Sequence, residues 1–233
     1  MEIAERLRSV EERIAKAAER AGRDPSEITL VAVSKTVEPE RIRQAVGAGV
    51  QVLGENRVQE ARDKIKELGR IAQWHMIGHL QKNKAKYVAE LFDMLHSLDD
   101  LPLLDALCKR LEKLGKEAFP TLIEVKLSPE ETKHGCDPRE LLALAKEASS
   151  RPQVKLLGLM TIAPYSEDPE VARPCFRRLR ELRDELQDSL GVALPHLSMG
   201  MSGDFEVAIE EGSTMVRIGT AIFGERVYGC KLD

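Results

Sequence analysis

Residues 28–36 read Ile-Thr-Leu-Val-Ala-Val-Ser-Lys-Thr, a short apolar run that is rich in β-branched residues. Such a run is typical of a strand that is buried on both faces. It ends with Lys35, although the burial of an ammonium group is costly. At the carboxyl end of a strand a lysine can reach a cavity, where loss of solvent lowers its pKa and makes the amine nucleophilic. Lys35 is therefore a candidate Schiff-base lysine, whereas the simpler interpretation of this stretch alone is a lysine that reaches out to water.

Seven further strand patterns follow, and nearly every one leads into a helical pattern. The eight predicted strands cover residues 28–36, 52–55, 73–77, 94–97, 121–127, 154–160, 196–199 and 215–218. Strict alternation of strand and helix indicates a parallel sheet, and eight such units can close into a (β/α)8 TIM barrel. The alternative is an open doubly wound sheet. That fold often carries a phosphate loop after its first strand, but here no GxGxxG pattern follows the first strand.

Helical patterns fill most of the intervals between the strands, and one more precedes them. The predicted helices cover residues 3–21, 39–46, 57–68, 82–92, 100–114, 137–148, 168–187 and 205–211. We detect no linker and no low-complexity tract. The sequence therefore predicts a single α/β barrel domain over residues 1–233, with an extra N-terminal helix in residues 1–22 and a tail at 225–233.

The composition is that of a globular protein with an acidic balance. Hydrophobic residues make up 42% of the 233 residues, charged residues make up 32%, and the formal net charge is -4. Nothing in this balance indicates a nucleic-acid partner. The four cysteines show no paired spacing, and the N-terminus lacks the apolar core of a signal peptide. Without an apolar stretch of membrane-spanning length, we expect a cytoplasmic protein with reduced thiols, as a monomer or a weak dimer.

Polar residues collect at the predicted carboxyl ends of the strands, where barrels place their functional groups. After the seventh strand comes Ser198-Met-Gly-Met-Ser-Gly-Asp204, and the eighth strand runs into Arg217-Ile-Gly-Thr220. Taken singly, each segment is an ordinary turn. Together, their glycines, hydroxyls and free amides form a predicted anion cradle, in the place where barrels often bind phosphate. A reactive Lys35 opposite this cradle fits a ligand with an aldehyde at one end and a phosphate at the other. Pyridoxal phosphate has this form, and Arg217 is placed to bond its pyridine nitrogen.

Six longer stretches point to one family. They are Leu30-Val-Ala-Val-Ser-Lys-Thr36, Gly54-Glu-Asn-Arg-Val-Gln-Glu60, Trp74-His-Met-Ile-Gly-His-Leu-Gln-Lys-Asn-Lys84, Gly158-Leu-Met-Thr-Ile-Ala-Pro164, Leu197-Ser-Met-Gly-Met-Ser-Gly-Asp204 and Val216-Arg-Ile-Gly-Thr-Ala-Ile-Phe-Gly224. These stretches span nearly the whole chain in order, and through them the sequence closely resembles the pyridoxal phosphate homeostasis proteins.

The resemblance implies a barrel like the N-terminal domain of alanine racemase, with pyridoxal phosphate as its cofactor. It implies that Lys35 forms the Schiff base, that Arg217 lies near the pyridine nitrogen, and that the phosphate is bound by Ser202, Gly219 and Thr220. Asn56 and His79 match motifs that face the cofactor. The resemblance also implies that the cofactor is handed on to other proteins, with apo forms of pyridoxal phosphate enzymes as recipients.

Three functions compete at this point. The first is a non-enzymatic protein that holds pyridoxal phosphate, and the second is a pyridoxal phosphate-dependent racemase or decarboxylase. The third is a Schiff-base aldolase that acts on a sugar phosphate. Racemisation needs a second acid–base group opposite Lys35. Alanine racemases take theirs, a tyrosine, from a further domain of the partner subunit, and we expect no such domain after the eighth strand. Tyr165 is the only tyrosine predicted to lie near the site, and Pro164 and Ser166 mark it as part of a loop. We therefore expect no amino-acid turnover.

Metal-ligand patterns in the sequence are weak. His75 and His79 are four residues apart, but they straddle a strand and a loop rather than one helix face. His134-Gly-Cys136 has no second pair to complete four ligands. We therefore predict no metal site. Trp74, on an apolar strand, is expected in the core, and the lysines at 82, 84 and 86 are expected on a solvated helix face.

Overall fold

Eight parallel strands form a closed barrel in the computed structural model, which describes residues 2–128 and 134–225. The strands are β1 Thr29–Val33, β2 Val52–Glu55, β3 Gln73–Met76, β4 Met94–Leu98, β5 Phe119–Glu124, β6 Val154–Met160, β7 His196–Ser198 and β8 Met215–Ile218. They pair in sequence order, and β8 closes the barrel on β1 with Val31 opposite Arg217. The predicted (β/α)8 barrel is confirmed.

Helices cover the outside of the barrel. They are α1 Ile3–Arg20, α2 Pro39–Gly47, α3 Val58–Leu68, α4 Ala85–Leu91, α5 Leu101–Lys113, α6 Leu141–Ser150, α7 Arg173–Leu190, α8 Phe205–Glu210 and α9 Thr220–Phe223. The extra helix α1 buries the stripe Ile3, Leu7, Val10, Ile14, Ala17 and Ala18. It packs against α8 and α9, and Arg13 forms an ion pair with Glu206 at 2.9 Å. Among the described residues, no helix is both long enough and apolar enough to cross a bilayer.

The apolar side chains form two clusters, one on each side of the barrel wall. The inner cluster fills the barrel and contains Val31, Val33, Val52, Ile77, Met94, Leu122, Met160 and Met215. The larger outer cluster lies between the strands and the helices and includes Trp74, which is fully buried as predicted. Burial on both faces explains why the strands read as continuous apolar runs rather than as alternating ones.

Gly158 permits the close contact between β6 and β7. Its φ is 153°, and a Cβ atom at this position would lie 1.8 Å from the carbonyl oxygen of His196. No side chain can be accommodated at that distance, so the pairing of these two strands depends on glycine.

Several predicted boundaries differ from those observed. The first strand was predicted to reach residue 36, but β1 ends at Val33 and Thr36 has a φ of 59°, which is outside the β region. The fifth strand begins earlier than predicted, at Phe119, and it also ends earlier, at Glu124, because Val125 leaves the ladder to form an isolated bridge with Cys136.

Three predicted helices begin later than their sequence signals. The Asp137-Pro138 pair forms a turn, in which the Asp137 carboxylate accepts from the Arg139 amide, and α6 begins only at Leu141. The Asp168-Pro169 pair and Lys82 each begin a short 3-10 helix, Pro169–Ala172 and Lys82–Lys84, that precedes the α-helix. Of the predicted tail, residues 226–233 lie outside the described part of the chain.

Candidate functional site

A cavity of about 300 Å³ opens at the carboxyl ends of the strands. Six of the seven residues predicted to bind a cofactor line it: Lys35, Asn56, Ser202, Arg217, Gly219 and Thr220. Lys35 follows β1 and Asn56 follows β2, while the others come from β7, β8 and the turns after them. Because closure of the barrel makes β8 a neighbour of β1, residues almost 200 positions apart share this cavity.

Lys35 lies just beyond β1 in a turn that is held from both sides. The amide of Ser34 donates to the carbonyl of Gly54 at 3.0 Å. The amide of Thr36 donates to the carboxylate of Glu60. Lys35 is half-buried and lines the cavity.

A buried ion cluster supports this turn from behind, and the sequence analysis did not predict it. The ammonium of Lys64 donates to the carbonyl of Ser34 at 2.6 Å, to Glu55 at 2.8 Å and to Glu60 at 2.6 Å. Burial raises the pKa of Glu55, and the charge of Lys64 opposes that rise. The only signal in the sequence was the spacing of four between Glu60 and Lys64 on one helix.

Arg217 projects from β8 into the cavity and is only 4% exposed. Its Nη1 donates to the hydroxyl of Ser198 at 2.8 Å, and its Nη2 donates to the carbonyl of Thr161 at 2.9 Å. Burial lowers the pKa of Arg217 to about 10, against the opposing charges of Glu124 and Asp204. The guanidinium therefore remains charged near neutral pH and is fixed in orientation.

Two buried histidines continue the hydrogen-bond chain from Ser198. His96 Nδ1 lies 2.9 Å from the Ser198 hydroxyl, and His96 Nε2 lies 3.0 Å from Nδ1 of His75. Burial lowers the pKa of His75 to about 4 and that of His96 well below its usual range, so both rings are neutral. Since Ser198 accepts from Arg217, its own proton is available to His96 Nδ1, which places the His96 proton on Nε2, toward His75.

Glu124 at the end of β5 is a further buried ionisable group. It is 3% exposed, and its Oε2 has no hydrogen-bond partner among the described residues. Burial, together with the nearby charge of Asp99, raises the pKa of Glu124 to about 7, while Arg217 acts in the opposite direction. The Glu124 carboxyl therefore keeps its proton to a higher pH than an ordinary glutamate does.

The turns after β7 and β8 are joined to each other. The hydroxyl of Ser202 accepts from the amide of Ala221 at 3.4 Å, and the amide of Arg217 donates to the carbonyl of Gly200 at 2.9 Å. Gly200 has a φ of 93°, and a Cβ there would lie 2.6 Å from Cβ of Ala208. The backbone can come this close only at a glycine. The two hydroxyls, Ser202 and Thr220, therefore line one end of the cavity together with Gly219.

The structure places the seventh predicted residue, His79, elsewhere. It lines a neighbouring cavity of about 550 Å³, to which Asn56 also contributes. His79 is exposed, and its Nδ1 lies 3.3 Å from a carboxylate oxygen of Asp99. The lysines at 82 and 86 are exposed as predicted, whereas Lys84 is half-buried and lines the same cavity as His79.

Comparison with known proteins defines the class to which this barrel belongs. The family model described as alanine racemase, N-terminal domain, matches residues 6–227. A protein of Aquifex aeolicus named pyridoxal phosphate homeostasis protein is 54% identical over 229 residues, which cover 98% of this chain and 100% of that protein. The chain belongs to the pyridoxal phosphate homeostasis proteins, within the family of alanine racemase N-terminal domains.

Solved structures agree with this assignment. PipY of Synechococcus elongatus PCC7942, solved with PLP bound, is 39% identical with a TM-score of 0.84, and the match covers 96% of this chain and 100% of PipY. An alanine racemase of Corynebacterium glutamicum is 18% identical with a TM-score of 0.65, and the match covers 96% of this chain and 63% of the racemase. The second likeness shows the fold alone.

Proposed function

We propose that this protein binds pyridoxal phosphate covalently through Lys35 and takes part in its homeostasis without turning over amino acids. The observation that carries this proposal is one cavity that holds an amine, a fixed guanidinium and a pair of hydroxyls. The names of its relatives and the PLP bound to PipY support the same ligand.

The donor set matches the three functional ends of this cofactor. When bound, pyridoxal phosphate supplies an aldehyde that condenses with a primary amine. Lys35 is the amine that lines the cavity, and Ser202 and Thr220 offer hydroxyl donors for a phosphate. The guanidinium of Arg217 is held by Ser198 and Thr161, and we propose that its remaining N–H groups donate to the ring nitrogen. Asn56 lines the same cavity and is proposed to contact the ring.

The positive charge of the Arg217 guanidinium argues against efficient catalysis of amino-acid reactions. Its pKa of about 10 keeps the guanidinium protonated at neutral pH. A donor that is always charged keeps an adjacent ring nitrogen unprotonated, and this weakens the ring as an electron sink. Arg217 is therefore suited to orienting the cofactor rather than to supporting loss of a proton or of carbon dioxide from an amino acid.

A racemase or decarboxylase is the second candidate, and it needs an acid–base group opposite Lys35. Of the described cavity residues, Tyr165 is the tyrosine that could serve, but it is 88% exposed on its loop. Asp204, another lining residue, accepts from the amide of Met201 at 2.6 Å and so caps the turn. We therefore infer that neither side chain serves as the second acid–base group.

The test is to incubate holoprotein with a panel of L- and D-amino acids and to follow chirality and carbon dioxide release. We expect no turnover near the usual enzymatic range of about 1 to 10³ per second. Turnover in that range, lost in Lys35→Ala, would favour the enzyme. The visible spectrum separates the third candidate, because a sugar phosphate bound to Lys35 would be colourless.

The proposed function also implies partners and a cellular location. Apo forms of pyridoxal phosphate enzymes are the recipients we propose, by analogy with the homeostasis role in the names of its relatives. We also propose a cytoplasmic location, which the free thiols of Cys108, Cys136 and Cys175 support.

A further inference from the structure

Three side chains from neighbouring strand ends meet beside the cavity of about 550 Å³. They are His79 after β3, Asp99 directly after β4, and His134 in the segment after β5. One nitrogen or oxygen atom from each lies within 4.8 Å of the corresponding atoms of the other two. His79 and Asp99 are 3.3 Å apart, and the rings of His79 and His134 are nearly parallel with centroids 3.6 Å apart.

The backbone holds each of these residues in place. The carbonyl of Gly78, next to His79, accepts from the hydroxyl of Ser97 at 2.6 Å. Asp99 follows the last residue of β4 without an intervening loop. The segment that carries His134 is pinned to β5, because Cys136 donates to the carbonyl of Glu124 at 2.7 Å and accepts from the amide of Lys126 at 3.0 Å. The fold therefore brings the backbones of these three residues together.

Two imidazoles and one carboxylate are a characteristic ligand set for divalent transition metals. Zn²⁺ takes three such ligands and completes its tetrahedron with water, and 2-His-1-carboxylate sites also bind other first-row ions. Mg²⁺ and Ca²⁺ prefer all-oxygen ligands, so this set selects against them. Asp99 and Asp100 bring negative charge to the cluster, while Lys126 lies near His134 and Arg57 and Lys84 line the adjoining cavity.

We propose that His79, Asp99 and His134 form a binding site for Zn²⁺ or a similar divalent transition-metal ion. Binding rotates the two stacked rings so that one nitrogen of each points to the ion. The remaining coordination position faces the cavity lined by His79 and His134, where Asn56 and Lys84 also lie. A metal-bound water or an anionic ligand occupies that position. Since Asn56 also lines the Lys35 cavity, the ion and the cofactor occupy adjacent compartments.

The sequence did not suggest this site because its ligands come from three separate segments. The sequence shows two weak metal-ligand pairs, His75 with His79 and His134 with Cys136. Each pair contains one residue of the cluster and one residue outside it. The parallel pairing of β3 with β4 and of β4 with β5 places the ends of these three strands side by side.

The experiment uses the full chain, stripped of metal by a chelator and then titrated with Zn²⁺ and Co²⁺. Three variants are compared with the wild type: Asp99→Asn, His134→Gln and, as a matched control outside the cluster, His196→Gln. We expect one Zn²⁺ per chain and a visible Co²⁺ d–d band without a sulfur charge-transfer band. Both cluster variants should bind more than about 100-fold more weakly, since even partners that only orient a ligand are worth about 10- to 100-fold. His196→Gln should bind as the wild type does.

Three outcomes would overturn the site. They are no Zn²⁺ bound by the wild type, equal affinity in the wild type and both cluster variants, and a sulfur charge-transfer band that indicates cysteine ligands. Because His134 is exposed, His134→Gln tests the site even if Asp99→Asn fails to fold. Binding is measured without and with pyridoxal phosphate, so a failure of the proposed cofactor function leaves the metal result interpretable.

Discussion

Arg217 donates through Nη1 to the hydroxyl of Ser198 at 2.8 Å, and this bond joins the candidate cofactor cavity to the polar interior of the barrel. Ser198 in turn contacts His96, and His96 contacts His75. Burial of a guanidinium in a barrel is unfavourable unless other groups compensate its charge, because an unpaired charge in an apolar interior is costly. Here the charge is matched by one hydroxyl, one carbonyl and the field of Glu124.

Removal of the hydroxyl at residue 198 should therefore destabilise the barrel. Ser198→Ala leaves one N–H of Arg217 and one nitrogen of His96 without their shared partner, at a cost of about 1–3 kcal/mol per buried polar group. Urea unfolding measures the loss. Ser189→Ala, which truncates an exposed serine, is the matched control and should stay within about 0.5 kcal/mol of the wild type. A Ser198→Ala variant as stable as this control would contradict the account of Arg217.

Glu124 makes the stability of the fold depend on pH. Its pKa in the folded state is about 7, against 4.5 for the ordinary group, so between these values the folded chain holds a proton that the unfolded chain has released. Stability should therefore fall as pH rises through this window and level off above it, by up to about 3 kcal/mol.

The measurement is the free energy of unfolding at pH 5 and pH 8. Other groups titrate in this range, among them His75, whose lowered pKa acts in the opposite sense. The test is consequently the difference from Glu124→Gln, which should lose less stability between the two pH values than the wild type does. The exposed control Glu12→Gln should follow the wild type. Parallel pH profiles for Glu124→Gln and the wild type would refute this prediction.

Lys64 should be essential to the turn that carries Lys35. In Lys64→Met the buried carboxylate of Glu55 loses its cation, and breaking a buried ion pair in this way costs about 3–5 kcal/mol. The double variant Lys64→Met/Glu55→Gln removes both charges and should recover most of that loss. Chemical unfolding of both variants decides the matter. A double variant no more stable than the single one would show that the pairing with Glu55 is not what makes Lys64 necessary, and would leave its bonds to Ser34 and Glu60 as the cause.

The hydroxyls of Ser202 and Thr220 should favour binding of pyridoxal phosphate over unphosphorylated pyridoxal. Each hydrogen bond to a charged phosphate contributes about 1.5–3 kcal/mol, so Ser202→Ala/Thr220→Val should weaken pyridoxal phosphate binding by at least about 100-fold. Unphosphorylated pyridoxal is the control ligand, and its affinity should change little. Equal losses for the two ligands in a titration would place the phosphate elsewhere.

The sequence predicted the repeating architecture well because each β/α unit is encoded locally. The apolar run before Lys35 and the stripe of α1 both reflect burial that neighbouring residues decide. Boundaries were less predictable where a tertiary contact intervenes, as in the bridge between Val125 and Cys136. Polar contacts across the barrel, such as that of His96 with Ser198, depend on closure and have no local pattern.

The candidate site was also predicted only in part, where short local motifs mark its residues. Lys35, the glycine-containing turn after β7 and the segment that ends at Thr220 belong to short motifs, and the structure brings residues of all three into one cavity. His79 also belongs to a motif, but it lies in the neighbouring cavity, because the motif specifies a strand end without specifying which way the loop beyond it turns. The only sequence signal for the Lys64 cluster was the spacing of four between Glu60 and Lys64, and many exposed ion pairs on helices share that spacing.

The most direct test of the central claim is to locate the residue that pyridoxal phosphate modifies. Holoprotein is reduced with borohydride, digested and analysed by mass spectrometry, in parallel with Lys35→Ala and with Lys82→Ala, an exposed lysine control. We expect the modification on Lys35, and a visible absorption band that Lys35→Ala abolishes and Lys82→Ala retains. A wild-type digest with the cofactor on another lysine, or a Lys35→Ala protein that keeps the band, would contradict this claim.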